Sequence, residues 1–293
     1  MTGKVVKGIG GFYFVHDGHS TVMGKARGNL KRNKEIIYVG DIVDFDIDEN
    51  DSDNECVINR VVERRNYLTR PPVSNLDMLV VVFSIVDPAV NFPVIDKLIA
   101  GAEFMGIDPV ICINKMDLVT PEVLEKNLAV YRDIYPTVAL NGNTGYGTEE
   151  LRKIISGRSV ALAGPSGVGK STITNLLTEE HHSEAETGTI SDKTGRGRHT
   201  TRHVEIFPLS DGTSLYDTPG FTSIDIPPME PSDVRRFFPE FSGPGSECRY
   251  RNCMHINEPD CAVKKALEEG RIGRTRYDSY IMMTEEAKKW QKQ

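Results

Sequence analysis

The sequence predicts three parts: a small all-β barrel, a central α/β domain with a parallel sheet, and a C-terminal helical segment that binds a metal. Short β-branched and aromatic runs fill the first part, and strand-like and helical segments alternate through the second. Three cysteines and one histidine crowd into the third part. These observations predict domains of residues 1–70, 71–225 and 226–293.

Composition limits the classes of function. The chain of 293 residues is 39% hydrophobic and 26% charged, which is typical of a globular protein with real cores. No apolar run approaches the roughly 18 residues of a membrane helix, and the first residues lack the apolar stretch of a signal peptide. We therefore expect a cytoplasmic monomer with no membrane partner. A formal net charge of −7 argues against a general nucleic-acid-binding surface and leaves room only for local basic patches.

The first domain is expected to form a five-stranded closed barrel of the OB type, because short strand-like runs alternate with turns rich in Gly, Asn and Asp. The clearest runs are residues 11–15, 35–39, 41–47 and 56–62. Residues 64–72 read as a linker to the next domain.

Basic side chains gather in one predicted loop of this barrel. Barrels of this type often bind oligonucleotides, so the loop predicts a contact with the phosphate backbone of RNA. The alternative is an ordinary solvated surface. The residues concerned are Lys25, Arg27, Lys31, Arg32 and Lys34.

The central domain shows the alternation of strand and helix that indicates a parallel sheet covered by helices. Ligands on such sheets lie where the strands end, at their carboxyl edge. The predicted strands are 76–84, 108–113, 137–140, 160–163 and 213–216, and the predicted helices are 91–103, 121–135, 149–155 and 171–177.

A phosphate-binding loop follows the strand at 160–163. Its sequence fits G-x-x-x-x-G-K-[ST] with every fixed position filled, so glycine flexibility and the start of a helix can wrap backbone amides around phosphate oxygens. Lys170 reaches the β- and γ-phosphates and the Ser171 hydroxyl holds Mg²⁺ in this interpretation. The alternative is a glycine-rich turn with an incidental Lys-Ser pair. The loop residues are Gly164, Pro165, Ser166, Gly167, Val168, Gly169, Lys170 and Ser171.

A second motif, Asn114-Lys115-Met116-Asp117, follows the predicted strand at 108–113 and indicates which base the nucleotide carries. Guanine presents two neighbouring N–H donors that one carboxylate accepts, whereas adenine would leave a desolvated Asp117 without a partner. We expect Asn114 to tie neighbouring loops together and the Lys115 stem to cover the base. The alternative is a polar turn at the end of a strand.

Two switch segments are predicted after the phosphate-binding loop. Asp217-Thr-Pro-Gly220 fits Asp-x-x-Gly, in which Asp217 holds Mg²⁺ and the Gly220 amide senses the γ-phosphate. Residues 187–201 are rich in Gly, Ser, Thr and Arg and predict a mobile switch with Thr200 or Thr201 as Mg²⁺ ligand; the alternative is a disordered loop. Because Asn-Lys-x-Asp precedes the phosphate loop here, the motif order is that of a circularly permuted domain.

The C-terminal segment carries Cys-x₄-Cys-x-His-x₅-Cys. Three thiolates and one imidazole suit tetrahedral Zn²⁺ in a closed structural site, so we assign it no catalysis. The alternative is a set of inert buried thiols. The predicted ligands are Cys248, Cys253, His255 and Cys261.

Taken together, these motifs resemble the circularly permuted GTPases of the RsgA (YjeQ) family over essentially the whole chain. The resemblance extends the phosphate site to Thr172. It implies a late assembly factor that binds the small ribosomal subunit and its rRNA, hydrolyses GTP to GDP when the subunit stimulates it, and departs. One departure is Asn141-Gly-Asn143 in place of a Ser-Ala-Lys-like loop, where we expect backbone amides to reach the guanine oxygen.

The predicted chemistry is in-line attack of water on the γ-phosphate, with Lys170 and Mg²⁺ neutralising developing charge. Phe221 stands where many GTPases carry a water-orienting Gln, so intrinsic turnover should be slow. His199 is the candidate for positioning the water, and a plain surface histidine is the alternative. Two rival functions are a GTP-regulated rRNA-binding scaffold with little turnover and an ATP-dependent enzyme.

Overall fold

The computed structural model describes residues 1–32, 35–47, 55–185 and 204–291. The chain forms two compact units, each assembled from three separate stretches. Unit 1 comprises Met1–Leu79, Leu151–Leu162 and Ser171–Phe221, and unit 2 comprises Val80–Glu150, Ala163–Lys170 and Thr222–Gln293.

The N-terminal part of unit 1 is a closed five-stranded barrel, as predicted. Its strands are ordered β1-β2-β3-β5-β4, and pairing of β1 with β4 closes the barrel. Neighbours are antiparallel except β3 and β5. Alternate side chains such as Val5, Val43 and Phe45 fill the interior. The strands are β1 (Thr2–Ile9), β2 (Phe12–His16), β3 (Thr21–Ala26), β4 (Ile42–Ile47) and β5 (Cys56–Val61).

Two local predictions for this region were wrong. Residues 35–39 form no strand and make one isolated bridge, at Val39, because both edges of β4 are already paired. The expected linker at 64–72 is instead part of a hairpin, β6 (Tyr67–Thr69) and β7 (Pro72–Ser74).

The basic residues also do not share one loop. Lys25 lies in β3, and Arg32 ends the short helix α1 (Gly28–Arg32). The Arg27 guanidinium donates a 2.8 Å hydrogen bond to Asn59 Oδ1. Lys34 lies outside the described residues.

Unit 1 also contains a strand group that joins the barrel. β11 pairs with β13 in parallel, β13 pairs with β12 antiparallel, and β12 meets β1 where Glu205 lies opposite Lys7. The elements are α4 (Thr148–Ile155), which begins in unit 2, β11 (Ser159–Ala163), α5 (Lys170–Ala185), β12 (Glu205–Pro208) and β13 (Ser214–Asp217).

Unit 2 carries the strands that end in the base motif. Its strand order is β8-β9-β10, and β9 and β10 are parallel. The helix predicted at 121–135 is shorter than expected, since α3 ends at Leu128 and turns follow it. The elements are β8 (Met78–Phe83), which begins in unit 1, α2 (Phe92–Met105), β9 (Asp108–Ile113), α3 (Pro121–Leu128) and β10 (Thr137–Ala139).

The C-terminal part of unit 2 packs its helices on an aromatic core that includes Phe238, Phe241 and Tyr280. Within the described residues, no helix combines the length and apolar character needed to cross a bilayer. The helices are α6 (Ser242–Ser246), α7 (Ala262–Glu268) and α8 (Arg274–Trp290), preceded by 3₁₀ turns at Pro231–Phe237 and Pro239–Phe241.

Candidate functional site

The phosphate-binding loop has the backbone that its glycines predict. Gly164, Gly167 and Gly169 all adopt positive φ, at 147°, 82° and 97°. A Cβ atom on Gly164 would lie 2.0 Å from the Val82 carbonyl oxygen, and one on Gly169 would lie 2.2 Å from Asn114 Nδ2. Larger residues are therefore excluded at both positions by conformation and by contact.

Lys170 begins α5 and folds back over the loop. Its ammonium donates to the carbonyl oxygens of Gly164 at 2.7 Å and Pro165 at 2.8 Å. Partial burial lowers the pKa of Lys170. Ser171 and Thr172, the next two residues of the helix, are exposed. The loop thus holds a cation at its mouth next to two exposed hydroxyls, a set suited to phosphate and Mg²⁺.

Asn114 joins three segments of unit 2, as predicted. Its Nδ2 donates to the Val168 carbonyl oxygen of the phosphate loop at 2.8 Å, and its Oδ1 accepts from the Gly142 amide at 3.0 Å. Its own amide donates to the Phe83 carbonyl oxygen at the end of β8. Since Asn114 is buried, these bonds fix the spacing between the base loops and the phosphate loop.

The other residues of the base motif face outward. Lys115 has a left-handed φ of 59° and pairs with the exposed Asp87 carboxylate at 3.0 Å. Asp117 lies in a one-turn 3₁₀ helix (Met116–Leu118), and its side chain is exposed. An exposed carboxylate beside a lysine stem is the arrangement that recognition of a guanine edge requires.

The loop after β10 carries the amides that were expected to reach the guanine oxygen. Every amide from residue 142 to residue 146 already donates to an acceptor in unit 2: Gly142 to Asn114 Oδ1, Asn143 and Thr144 to Asn141 Oδ1, Gly145 to the Asn141 carbonyl oxygen, and Tyr146 to Thr144 Oγ1. A guanine oxygen contacting these amides would have to share or displace those acceptors.

The Asp-x-x-Gly segment begins where β13 ends at Asp217. Gly220 has a positive φ of 72°, and the Phe221 amide closes a turn on the Thr218 carbonyl oxygen at 3.3 Å. The Phe221 ring is buried and carries no hydrogen-bonding atom. The predicted switch at 187–201, with His199, Thr200 and Thr201, lies outside the described residues.

The predicted metal ligands converge in unit 2. The ligand atoms of Cys248, Cys253, His255 and Cys261 all lie within 4.8 Å of one another. His255 Nδ1 is 3.4 Å from Cys261 Sγ and 3.6 Å from Cys248 Sγ, and the two sulfurs are 3.9 Å apart. Tetrahedral Zn²⁺ with ordinary bond lengths places two sulfurs about 3.8 Å apart and sulfur and nitrogen about 3.6 Å apart. The cluster fits a metal ion.

The backbone around the cluster is held by residues that sequence reasoning missed. Tyr277 and Tyr280 on α8 donate to the carbonyl oxygens of His255 and Met254, and Arg235 donates to that of Cys253 at 2.8 Å. The Glu258 carboxylate accepts from the amides of Met254 and Ile256. Only Glu258, inside the motif, had a positional signal; the aromatic residues of α8 resemble ordinary core residues. These bonds pre-shape the ligand loop.

A sequence model of the RsgA GTPase family matches residues 61–227. The chain belongs to this family. A model of the RsgA N-terminal domain matches residues 2–55 as well. RsgA GTPases hydrolyse GTP, so this chain is a GTP-hydrolysing enzyme with the permuted motif order described above.

Full-length relatives agree with the RsgA assignment. The chain is 42% identical to "Small ribosomal subunit biogenesis GTPase RsgA" of Agathobacter rectalis, with 100% of both chains covered. The protein of the same name from Caldanaerobacter subterraneus is also 42% identical, with 100% of this chain and 97% of the relative covered.

Solved structures with the RsgA architecture also match. The YjeQ crystal structure from Thermotoga maritima superposes with a TM-score of 0.81 at 33% identity, with 98% of each chain covered. YloQ, described as a circularly permuted GTPase, gives 0.78 at 29% identity, with 98% of this chain and 95% of YloQ covered.

Proposed function

We propose that this chain is a late assembly factor of the small ribosomal subunit that binds GTP and Mg²⁺ and hydrolyses GTP when the subunit stimulates it. The observation that carries the proposal is the Asn114 contact with Val168, which couples a guanine-type base loop to a phosphate loop in one unit. The ribosomal role is supported by the names of two relatives that align with the entire chain.

The nucleotide-binding roles follow from position. Asp117 accepts the two N–H groups of guanine, the Lys115 stem covers the base, and Asn114 holds the loops. The phosphate loop, 164–172, supplies amides, the Lys170 ammonium and the Ser171 hydroxyl. Mg²⁺, when bound, neutralises phosphate charge; Ser171, Asp217 and Thr200 or Thr201 would hold it. The Gly220 amide senses the presence of the γ-phosphate.

Catalysis in this proposal needs two things: a group that stabilises negative charge on the phosphate and a group that positions the attacking water. Lys170 stabilises the charge that develops on the transferred phosphate as water attacks in line. The buried Phe221 ring offers no group to orient that water. His199 takes this role in the proposal.

The barrel and the C-terminal segment support docking on the small ribosomal subunit, which we propose takes place in the cytoplasm. The barrel of residues 1–70 contacts rRNA, the domain 71–225 binds the nucleotide, and the segment 226–293 is shaped by one structural Zn²⁺ on Cys248, Cys253, His255 and Cys261. We propose a monomer without a membrane partner, because the roles assigned here need only nucleotide, metal and subunit.

Phosphate release tests the proposal. Purified enzyme is incubated with GTP or ATP, with and without purified small subunits, at matched salt. We expect slow release from GTP, strong stimulation by subunits, and little release from ATP.

A specific observation favours a second candidate, an rRNA-binding scaffold that rarely turns over. Phe221 stands where many GTPases carry a water-orienting Gln, and its buried ring has no hydrogen-bonding atom. A scaffold would bind subunits in a GTP-dependent way and show no stimulated release, so the same assay separates the two functions.

A further inference from the structure

A groove on the outer face of the barrel in unit 1 has no role in the proposed GTP chemistry. Its volume is about 760 Å³, within the range of ligand-binding clefts. Strands β1, β2, β12 and β13 contribute to its walls. The apolar part of the lining consists of Val6, Phe14, Ile42, Ile206, Phe207 and Pro208.

Strand register places aromatic and basic side chains together along this groove. Lys4 lies opposite His16, and Lys7 lies opposite Phe14, on the paired strands β1 and β2. Phe14 and His16 share one face of β2 because side chains alternate along a strand, and the intervening Val15 points into the barrel core. The groove therefore combines ring surfaces with cations.

Most charges in the groove already have partners. The Lys7 ammonium pairs with the Glu205 carboxylate at 2.8 Å. The Asp17 carboxylate accepts the backbone amides of His19 and Ser20, both at 2.8 Å. The Lys7 charge is therefore offset by Glu205, whereas the Asp17 carboxylate keeps its negative charge, because the two amides lower its pKa.

Lys4 is different. Its ammonium is 3.4 Å from the Ser214 hydroxyl and has no carboxylate at ion-pair distance among the described residues. Burial lowers the pKa of Lys4, and the charge of the Asp77 carboxylate opposes that shift without making an ion pair. An anion in the groove would compensate this charge.

We infer that the groove binds an unpaired nucleotide of an RNA strand, with a phosphate on Lys4 and the base against Phe14 and Phe207. Base stacking on aromatic side chains beside a cation is the usual recognition of single-stranded RNA. The RNA partner rests on the proposed function, whereas the groove's chemistry does not. β12 follows the predicted switch closely in sequence. RNA bound in this groove would therefore contact a strand that lies near, in sequence, to the segment predicted to sense GTP.

The test uses the full chain with the P-loop saturated by GDP and Mg²⁺. A fluorescent ten-nucleotide RNA containing 4-thiouridine is titrated at low salt, and anisotropy reports its affinity. Lys4→Met is compared with Lys97→Met, a lysine of α2 outside the barrel that is paired with Glu286. Crosslinked peptides are then identified by mass spectrometry on the unmodified chain, which does not depend on how a variant folds.

We expect Lys4→Met to weaken RNA binding about fivefold or more and Lys97→Met less than twofold, with crosslinks at Phe14 or Phe207. Equal losses in the two variants, or crosslinks confined to other regions, overturn the inference. Saturation by free UMP without affinity for the RNA also overturns it, because the groove would then be a small-nucleotide site. Phosphate release from GTP is measured in parallel, so a failure of the proposed GTPase role is seen separately.

Discussion

The side-chain amide of Asn114 donates a 2.8 Å hydrogen bond to the Val168 carbonyl oxygen. This bond joins the residue that opens the base motif to the middle of the phosphate loop, 54 positions further along the chain. The Gly169 backbone passes so close that a Cβ there would meet the same amide at 2.2 Å. The bond thus fixes the separation between the two halves of the proposed nucleotide site, which lowers the ordering cost of binding.

Asn114→Ala should weaken GDP binding about tenfold or more. The substitution leaves the buried Val168 carbonyl oxygen without its donor, a loss of about 1–3 kcal/mol. Titration calorimetry with GDP and Mg²⁺ measures the change. Asn127→Ala is the control, because Asn127 makes the same type of amide-to-carbonyl bond on an exposed helix face. Equal affinities for the two variants would contradict the role assigned to Asn114.

Asp117→Asn should shift preference from guanine to xanthine nucleotides. The amide cannot accept both guanine N–H donors, whereas it can pair with the second carbonyl of xanthine. Competition between GDP and XDP measures the change in preference, with Asp133→Asn, an exposed carboxylate elsewhere in unit 2, as control. Undiminished selectivity for GDP would argue against base reading by Asp117.

His199→Ala should lower subunit-stimulated turnover about 100-fold while GTP affinity stays unchanged, because a positioned group acts only in the transition state. The comparison is single-turnover GTP hydrolysis with saturating subunits. His19→Ala, in an exposed turn of the barrel, is the control. If stimulated turnover survives in His199→Ala, another group positions the water.

Cys261→Ser should remove one equivalent of zinc and lower the melting temperature, because metal binding stabilises the folded ligand loop. Metal content by mass spectrometry and thermal unfolding are measured together. Cys112→Ser is the control, since Cys112 is buried in β9 outside the cluster. Metal retained at one equivalent in Cys261→Ser would rule out this ligand set.

Sequence predicted the parts of the molecule that local chemistry dictates. The two fixed glycines of the phosphate-loop pattern, Gly164 and Gly169, adopt positive φ, and the base motif follows the end of β9, so local pattern predicted both backbone features. The metal-ligand cluster was likewise predicted from the spacing of its cysteines and histidine. Residues 35–39 have strand-like composition, yet β1 and β5 already occupy both edges of β4. Which segments pair as strands depends on tertiary contacts, and a local sequence pattern does not contain that information.

Long-range polar contacts were also beyond prediction. Arg276 and Asp96 are 180 positions apart, so no local sequence pattern links them. In the folded chain both are fully buried, and Arg276 bridges Asp96 at 2.9 Å and Glu240 at 2.7 Å. Tyr131 and Ser279 donate to the same Asp96 carboxylate. This cluster fastens α8 to α2.

Arg276→Met should destabilise unit 2 by about 3–5 kcal/mol, because it leaves two carboxylates buried without their cation. Burial raises the pKa of Asp96, and Arg276 opposes that rise. In the variant the pKa of Asp96 in the folded state therefore lies further above its unfolded value. The folded state then holds a proton that the unfolded state releases, so stability falls as pH rises above the unfolded value. Thermal unfolding is measured at pH 5 and pH 8. The melting temperature should fall more between pH 5 and pH 8 in Arg276→Met than in the wild type.

Two further variants make that prediction specific. Arg274→Met removes the neighbouring arginine of α8, which is 75% exposed and pairs with Asp278, and should cost at most about 1 kcal/mol at either pH. Adding Asp96→Asn to Arg276→Met removes one stranded charge and should restore part of the stability and flatten the pH dependence, since an amide does not titrate. An Arg276→Met variant as stable as Arg274→Met would mean that the buried cluster contributes little, and a double variant with unchanged pH dependence would place the titrating group elsewhere.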